Sequence, residues 1–225
     1  KSISQLALLA RYLPVGDGES IRLLCREYFA ARKWIFEADD KKMFEKQTKM
    51  HTKRLMDRTL RKCLRTHRRQ IRLRSSDYSG VLDRAFCGKT RPEDMAEKID
   101  ELMAGGNILK DGNTCYISRF VWNGIDVVVK CYKHKSLIHS LRHTLKRSRA
   151  RHVWLHAHRL GVLEVPTPRP LAYVEKLRGL IVWKSYLITE YVGGEKLYYC
   201  LRDENISAGE KSETMRRIIE MLDDL

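Results

Sequence analysis

The chain has 225 residues, of which 43% are apolar and 32% are charged, and its formal net charge is +16. This composition is typical of a folded globular protein and excludes a chain that is disordered throughout. No apolar run approaches the roughly 20 residues that span a bilayer, and the first residues lack a signal-peptide pattern, so we expect at most a peripheral contact with a membrane. The six cysteines show no CxxC or CxH spacing, which argues against a zinc site or a disulfide framework and indicates a reducing cytoplasm.

The basic charge is concentrated in two blocks. Between Lys41 and Arg74 there are fourteen Lys or Arg residues against two acids, which gives 14 − 2 = +12, and the block from Lys133 to Arg151 holds seven basic residues and no acid. Such blocks predict an anionic partner, whether nucleic acid, anionic lipid headgroups or phosphorylated glycolipid. The alternative is a set of solvated helix faces.

The first part of the chain predicts two helices and a linker. Between Glu19 and Glu37 apolar residues recur at helical spacing, which predicts an amphipathic helix. A second helix with a cationic stripe is predicted over the basic segment, because six arginines follow one helical flank: Arg54, Arg58, Arg61, Arg65, Arg68 and Arg72. The turn-forming stretches SSDYSG and CGKTRP predict a linker across residues 75 to 92.

Beyond the linker the sequence predicts a helix followed by three antiparallel strands. PEDMAEKIDELMAGG has proline at its first turn and glycine at its end, as helix capping favours. The stretch ILKDGNTCYISRFVWNGIDVVVKCY is rich in β-branched and aromatic residues, and Asp111-Gly112-Asn113 and Asn123-Gly124 predict tight hairpin turns within it.

The rest of the chain predicts a basic helix, two more strands and terminal helices. The helix is expected over about Ser136 to Leu160, with an inner stripe formed by Leu137, Leu141, Leu145, Trp154, Leu155 and His158. The prolines of PTPRP favour an extended entry into the strands LAYVEKLRG and GLIVWKSYLITEYV, and helical segments follow around 195–202 and 207–225.

This order predicts an α+β fold: a protein-kinase-like small lobe, in which a five-stranded antiparallel sheet has one helix inserted between its third and fourth strands, preceded by a basic helical segment. The third strand of that lobe carries a lysine that contacts the nucleotide phosphates, and here Val127-Val128-Val129-Lys130 occupies the place of the V-A-I-K motif. Lys130 is therefore the candidate catalytic residue. The alternative is a lysine whose stem covers the sheet while its ammonium reaches water.

Two further segments supply candidate nucleotide-binding residues. The hairpin KDGNTC places Gly112 and Asn113 over the phosphates, although it lacks G-x-G-x-x-G and is equally compatible with an ordinary turn. In kinase-like folds the strand that corresponds to LITEYVGGEKL passes behind the adenine and becomes the hinge between the lobes. That likeness implies that the carbonyl of Glu190 and the N–H of Val192 pair with the adenine edge and that Glu195 lies near the ribose hydroxyls. A core strand that ends in a glycine turn is the alternative.

The sequence over about residues 105 to 200 resembles the lipopolysaccharide kinase (Kdo/WaaP) family, most clearly in RSRARHVWLHAHRLGVLEVPTPRPLAYVEK and the following SYLITEYVGG. Members of that family are bacterial kinase-fold enzymes that phosphorylate sugars of the lipopolysaccharide inner core. The resemblance implies ATP with Mg²⁺ as phosphate donor, an anionic glycolipid as acceptor, and a cytoplasmic location at the inner-leaflet surface. The alternatives are a noncatalytic pseudokinase and a basic nucleic-acid-binding module, the latter less favoured because the basic segment has few aromatics for base stacking.

The resemblance has two departures. Kinase-like folds pair the strand lysine with a glutamate on the inserted helix, but Val153 stands at that position, and Glu164 and Glu175 are the nearest acids in sequence. The family's catalytic aspartate and metal-binding acids lie on motifs such as H-G-D-L, which this sequence lacks, so the Mg²⁺ ligands are expected outside the chain.

These observations together predict a fragment that does not transfer phosphate alone. The first residue is Lys1, and the final amphipathic stretch MRRIIEMLDDL stops without a helix terminator. The predicted parts are a helical basic segment over 1–88, which resembles the tail of a preceding kinase-like unit, a small lobe over 93–192, and a hinge with the start of a large lobe over 193–225. Histidine pairs at 139/143 and 152/156 lack a third ligand, so no metal site is predicted.

Overall fold

The computed structural model describes residues 3, 6–7, 18–33, 35, 38–133, 148–179, 181–194, 197–203 and 205–223. They belong to two compact units. The helical unit comprises Lys1–Arg58, Val162–Val165 and Gly194–Leu225, and the sheet unit comprises Thr59–Gly161 and Pro166–Gly193. The fold class is α+β, as the sequence predicts.

The described elements, in chain order, are α1 (Gly18–Ala31), α2 (Ala38–Lys62), β1 (Gln70–Arg74), β2 (Tyr78–Asp83), α3 (Arg84–Cys87), α4 (Pro92–Gly105), β3 (Asn107–Asp111), β4 (Cys115–Trp122), β5 (Ile125–Lys133), α5 (Arg149–Val162), β6 (Pro170–Arg178), β7 (Ile181–Glu190), α6 (Leu197–Arg202) and α7 (Ala208–Asp223). No helix in the described part of the chain is both long enough and apolar enough to cross a membrane.

The helical unit has a small apolar cluster of its own. Its buried members are Leu6, Ala7, Cys25, Phe29 and Phe44. Cys25 and Phe29 are four residues apart on α1, so they lie on the same flank of that helix, which ends at Ala31 and is shorter than the predicted Glu19–Glu37.

The sheet unit contains seven antiparallel strands in the order β1-β2-β6-β7-β5-β4-β3. The prediction of five strands is therefore wrong by two, because β1 and β2 pair with each other and add to the edge of β6. The five predicted strands, β3 to β7, are all present. The Asn123-Gly124 turn between β4 and β5 has positive φ at both residues, 49° and 76°, as the hairpin signature predicts.

The predicted cationic helix is present but shorter than expected, and the predicted linker is wrong. Helix α2 ends at Lys62, and the chain then turns through a hydrogen bond from the Gln70 N–H to the His67 carbonyl. In QIRLR, Ile71 and Leu73 alternate with Arg72 and Arg74, which is the two-residue period of a strand and replaces the expected helical flank. The predicted linker likewise contains β2 and α3, so residues 70–88 are part of the sheet unit and not of a helical segment.

Helices cover both faces of the sheet. On the face that we call the α4 face, strand residues including Val127, Val129 and Ile188 pack with Met95 and Ile99 of α4. On the opposite face, the α5 face, a second cluster joins strand residues to helix residues and consists of Cys63, Val81, Ala150, Trp154, Leu155, Tyr173 and Leu187. Helices therefore pack on both faces of the central strands, although the α5 face of β5 is only partly buried.

Trp154 anchors α5 to the sheet. Its side chain is fully buried, its Nε1–H donates to the Cys63 carbonyl at 2.9 Å, and its ring lies 5.6 Å from the Tyr173 ring. Leu155 is buried beside it, which confirms two members of the predicted inner stripe. Leu137, Leu141 and Leu145 lie outside the described residues.

Candidate functional site

Lys130 lies near the middle of β5 and points to the α5 face. It is flanked by Ile117 on β4 and Leu187 on β7, and its side chain is partly buried. The alternation of the strand sends Val127, Val129 and Cys131 into the core on the other face. The charge therefore does not enter the α4-face core, and within the described residues of the sheet unit the Lys130 side chain has no hydrogen bond or ion pair.

No carboxylate on the inserted helix faces Lys130. Val153 is 38% exposed, because α5 packs on the sheet through Ala150, Trp154 and Leu155. A glutamate at position 153 would thus not point at the sheet. Glu175 is buried on β6, two strands away from β5, where its two oxygens accept hydrogen bonds from Ser79 and Ser148 at 2.9 and 2.5 Å.

The hairpin that contains Gly112 and Asn113 is held to the end of β5. The Gly112 N–H donates to the Cys115 carbonyl at 3.2 Å, and the Thr114 carbonyl accepts from the Lys133 N–H at 3.1 Å. A Cβ on Gly112 would come 3.2 Å from the Cys115 oxygen, so this tight turn favours glycine there. Asn113 is exposed at its tip.

The segment after β7 leaves the sheet beside the start of β5. The Glu190 N–H donates to the Arg169 carbonyl, and the Tyr191 N–H donates to the Asp126 carbonyl at 2.9 Å. Val192 is 64% exposed, and its N–H has no hydrogen-bond partner within the described residues. Gly194 has φ of 136°, which glycine tolerates best. Glu195 lies outside the described residues.

A polar cluster that the sequence reasoning missed lies on the α5 face, beside Val128. The Arg119 Nε and Nη2 donate to the Asp126 carboxylate, with contacts at 3.0, 3.1 and 2.5 Å, and the guanidinium lies 3.5 Å from the centre of the Tyr191 ring. Hydrogen bonding from Arg119 lowers the pKa of Asp126. Arg119 and Asp126 lie on either side of the Asn123-Gly124 turn, so their contact could have been predicted from the pairing of the two strands that this turn joins.

The structure arranges four of these candidates along β5. Glu190 pairs with Val127 at the start of the strand, Lys130 is in the middle, and the turn of Gly112 and Asn113 adjoins Lys133 at its end. Six residues of extended chain separate Val127 from Lys133, or about 20 Å.

The described residues contain no group of three or more His, Cys, Asp or Glu side chains that could hold a metal ion. His152 and His156 are exposed, with 3.3 Å between their Nε2 atoms. His139 and His143 lie outside the described residues.

No protein-family model, no curated protein and no solved structure matches the chain.

Proposed function

We propose that β3 to β7 together with α5 form an ATP-binding, kinase-like lobe in which Lys130 contacts the nucleotide phosphates. The observation that supports this most directly is the position of Lys130. Its side chain has no partner among the described residues of its unit, and it lies midway along β5. A tight turn adjoins one end of this strand, and the Glu190–Val192 segment adjoins the other. A lysine ammonium is a compact charge suited to phosphate oxygens.

The proposed residues would bind the edge of the adenine base and the phosphates of a nucleotide. The Val192 N–H, which is exposed and unpaired in the described chain, would donate to the base edge, and the Glu190 carbonyl would accept from it. Gly112 and Asn113 would offer backbone N–H groups near the phosphates. The bound nucleotide would supply the phosphoryl group for transfer, with Mg²⁺ held by acids other than those named here.

For the acceptor, we propose a sugar of the lipopolysaccharide core, presented at the inner-leaflet surface as part of an anionic glycolipid. The support is the resemblance of residues 105 to 200 to the lipopolysaccharide kinase family, together with the basic block that begins at Lys41. Basic residues close to an anionic membrane each contribute about 1 kcal/mol of attraction.

A noncatalytic nucleotide-binding module is the second candidate. Two observations favour it: Glu175 is engaged by Ser79 and Ser148 and not by Lys130, and the sequence has no H-G-D motif. Such a module would bind ATP through the same residues without transferring phosphate.

The test of nucleotide binding is the substitution Lys130→Met, with Lys98→Met as a matched control because Lys98 is exposed on α4. We expect MgATP to raise the melting temperature of the wild type and of the control, and to leave that of Lys130→Met unchanged. Circular dichroism would check that both variants fold. Equal stabilisation of Lys130→Met and wild type by MgATP would contradict the assignment of Lys130.

A further inference from the structure

A cavity of about 220 Å³ opens on the α5 face at β1, β2 and β6, whereas Lys130 is on β5. Its polar lining comprises Arg72, Arg74, Ser79, Arg151, Tyr173 and Glu175. Arg72 and Arg74 project to the same face because they are two residues apart on β1, and Arg151 comes from the first turn of α5. All of these residues belong to the sheet unit.

The charges of this lining do not cancel. Three arginines and one glutamate give 3 − 1 = +2. The carboxylate oxygens of Glu175 already accept hydrogen bonds from Ser79 and Ser148. Arg72 and Arg74 are exposed, and neither takes part in the ion pairs formed among the described residues.

The Arg151 guanidinium supplies an unsatisfied donor at this cavity. Its Nε is buried and has no hydrogen-bond partner within the described residues. A buried donor of a charged group is costly when it is left unsatisfied, and in native structures such donors are paired with protein, water, an ion or a ligand. An acceptor that carries negative charge would satisfy this donor.

Tyr173 adds a neutral donor to the same wall. Burial raises the pKa of its phenol to about 12, and the nearby Arg151 and Arg72 only partly oppose that shift. The hydroxyl therefore stays protonated at neutral pH and is able to donate a hydrogen bond.

We propose that this cavity binds a phosphate monoester as its dianion, held by Arg72, Arg74 and Arg151. The −2 charge of the dianion matches the +2 charge of the lining. A guanidinium group donates two parallel hydrogen bonds to phosphate oxygens. The cavity volume admits the phosphate with part of a small organic group. The site shares no residue with the proposed nucleotide site. The monoester comes either from a small sugar phosphate or from a lipid headgroup.

The experiment is a calorimetric titration of the full chain with inorganic phosphate and with glucose 6-phosphate, at constant ionic strength and above the second ionisation of the phosphate. We expect Arg151→Gln and Arg72→Gln each to weaken binding by about tenfold, the effect of losing one charge-assisted hydrogen bond. Arg159→Gln removes an exposed charge from the same helix and should leave the Kd unchanged.

Glu175→Gln tests the charge balance of the cavity wall, whereas the comparison of Arg159→Gln with Arg151→Gln distinguishes a built site from a general attraction to positive charge. The substitution removes a negative charge from the wall, while the glutamine carbonyl still accepts a serine hydrogen bond, so binding of the dianion should tighten. Absence of phosphate binding in the wild type, or equal weakening by Arg159→Gln and Arg151→Gln, would overturn the proposal.

Two further arms identify the source of the phosphate and separate this site from the nucleotide site. Sedimentation with phosphatidic acid vesicles that depends on Arg151, without binding of glucose 6-phosphate, would assign a lipid headgroup, and the reverse would assign a sugar phosphate. Lys130→Met should leave phosphate binding intact. Stabilisation by ATP that is lost in Arg151→Gln but kept in Lys130→Met would refute the proposed nucleotide site and leave this one standing.

Discussion

At the scale of single residues, the strand alternation explains why a lysine follows three valines in IDVVVKCY. Val127 and Val129 fill the α4-face core, whereas Val128 and Lys130 face the other side of the sheet. An apolar run on a strand covered on both faces can therefore carry a charge where one face is less fully packed. The local sequence does not reveal which face that is.

His158 is a second residue whose environment sets its chemistry. Burial lowers its pKa from 6.5 to about 4, against a weaker opposing effect of Asp83, and its Nε2 lies 3.3 Å from the Gln70 amide nitrogen. Its ring meets Trp154 edge-on at 4.5 Å. The imidazole is therefore neutral in the folded protein at neutral pH.

This burial predicts a specific loss of stability in acid. Between about pH 6.5 and about pH 4 the unfolded chain binds a proton at His158 that the folded chain does not, so the free energy of unfolding falls as the pH drops through that window. The loss is on the order of 3 kcal/mol. Urea denaturation at both ends of the window should show a smaller pH dependence for His158→Leu than for wild type. His152→Leu, an exposed control, should behave as wild type, and identical pH dependence in all three proteins would refute the prediction.

At the scale of elements, Asp100 ties α4 to the sheet. Its carboxylate accepts hydrogen bonds from Tyr186 at 2.7 Å and from Lys176 and Lys184 at 3.1 Å. Burial opposes ionisation of Asp100, but these hydrogen bonds outweigh it and lower the pKa. One helix side chain thus joins the two strands β6 and β7.

Replacing this carboxylate should destabilise the sheet unit. In Asp100→Asn the two lysines lose their acceptor charge in a partly buried position, so we expect the free energy of unfolding to fall by about 1–2 kcal/mol. Asp94→Asn is the matched control on the same helix, because Asp94 pairs with Arg91 at the surface, where ion pairs contribute little. Chemical denaturation measures both. If the free energy of unfolding fell as much in Asp94→Asn as in Asp100→Asn, the hydrogen bonds of Asp100 would contribute no more stability than a surface ion pair.

The elements that could be predicted from the sequence are those with strong local signals. Proline and glycine mark the ends of α4, and two hairpin turns separate β3, β4 and β5. Strand β1 could not be predicted in the same way, because Arg68 and Arg72 continue the four-residue spacing of the preceding helix and only the alternation in QIRLR opposes it. Strand β2 pairs with β6, about ninety residues later in the chain, and no local pattern encodes that pairing.

The same limit applies to the candidate sites. Lys130 and the Glu190–Val192 segment could be located because the order of the strands and the local sequence motifs indicate them. The arginine-lined cavity could not, because Arg72 and Arg151 are far apart in sequence and are brought together only by the packing of α5 on β2 and β6. Side chains from distant elements meet only once register and helix packing are known.

At the scale of the whole molecule, the basic charge remains the main clue to a partner. Arg54, Arg58 and Arg61 are exposed and follow one flank of α2, which confirms part of the predicted cationic stripe. The flank ends with the helix at Lys62, and Arg65 is exposed in the turn that follows. A membrane surface and a nucleic-acid backbone would both attract this charge, so only a comparison of the two can distinguish them.

Reversing the charge of Arg58, Arg61 and Arg65 to glutamate provides that comparison. If this flank lies against an anionic membrane, sedimentation with vesicles that contain phosphatidylglycerol should fall by far more than binding to duplex DNA, because each basic residue at the membrane surface contributes about 1 kcal/mol. The control reverses Lys89, Lys98 and Arg159, which are exposed elsewhere, so that the net charge changes equally. A loss of vesicle binding in the first variant alone would locate the contact on α2 and the following turn, whereas equal loss in both would mean that net charge suffices. A greater loss of duplex binding than of vesicle binding would instead contradict the membrane proposal and favour nucleic acid as the partner.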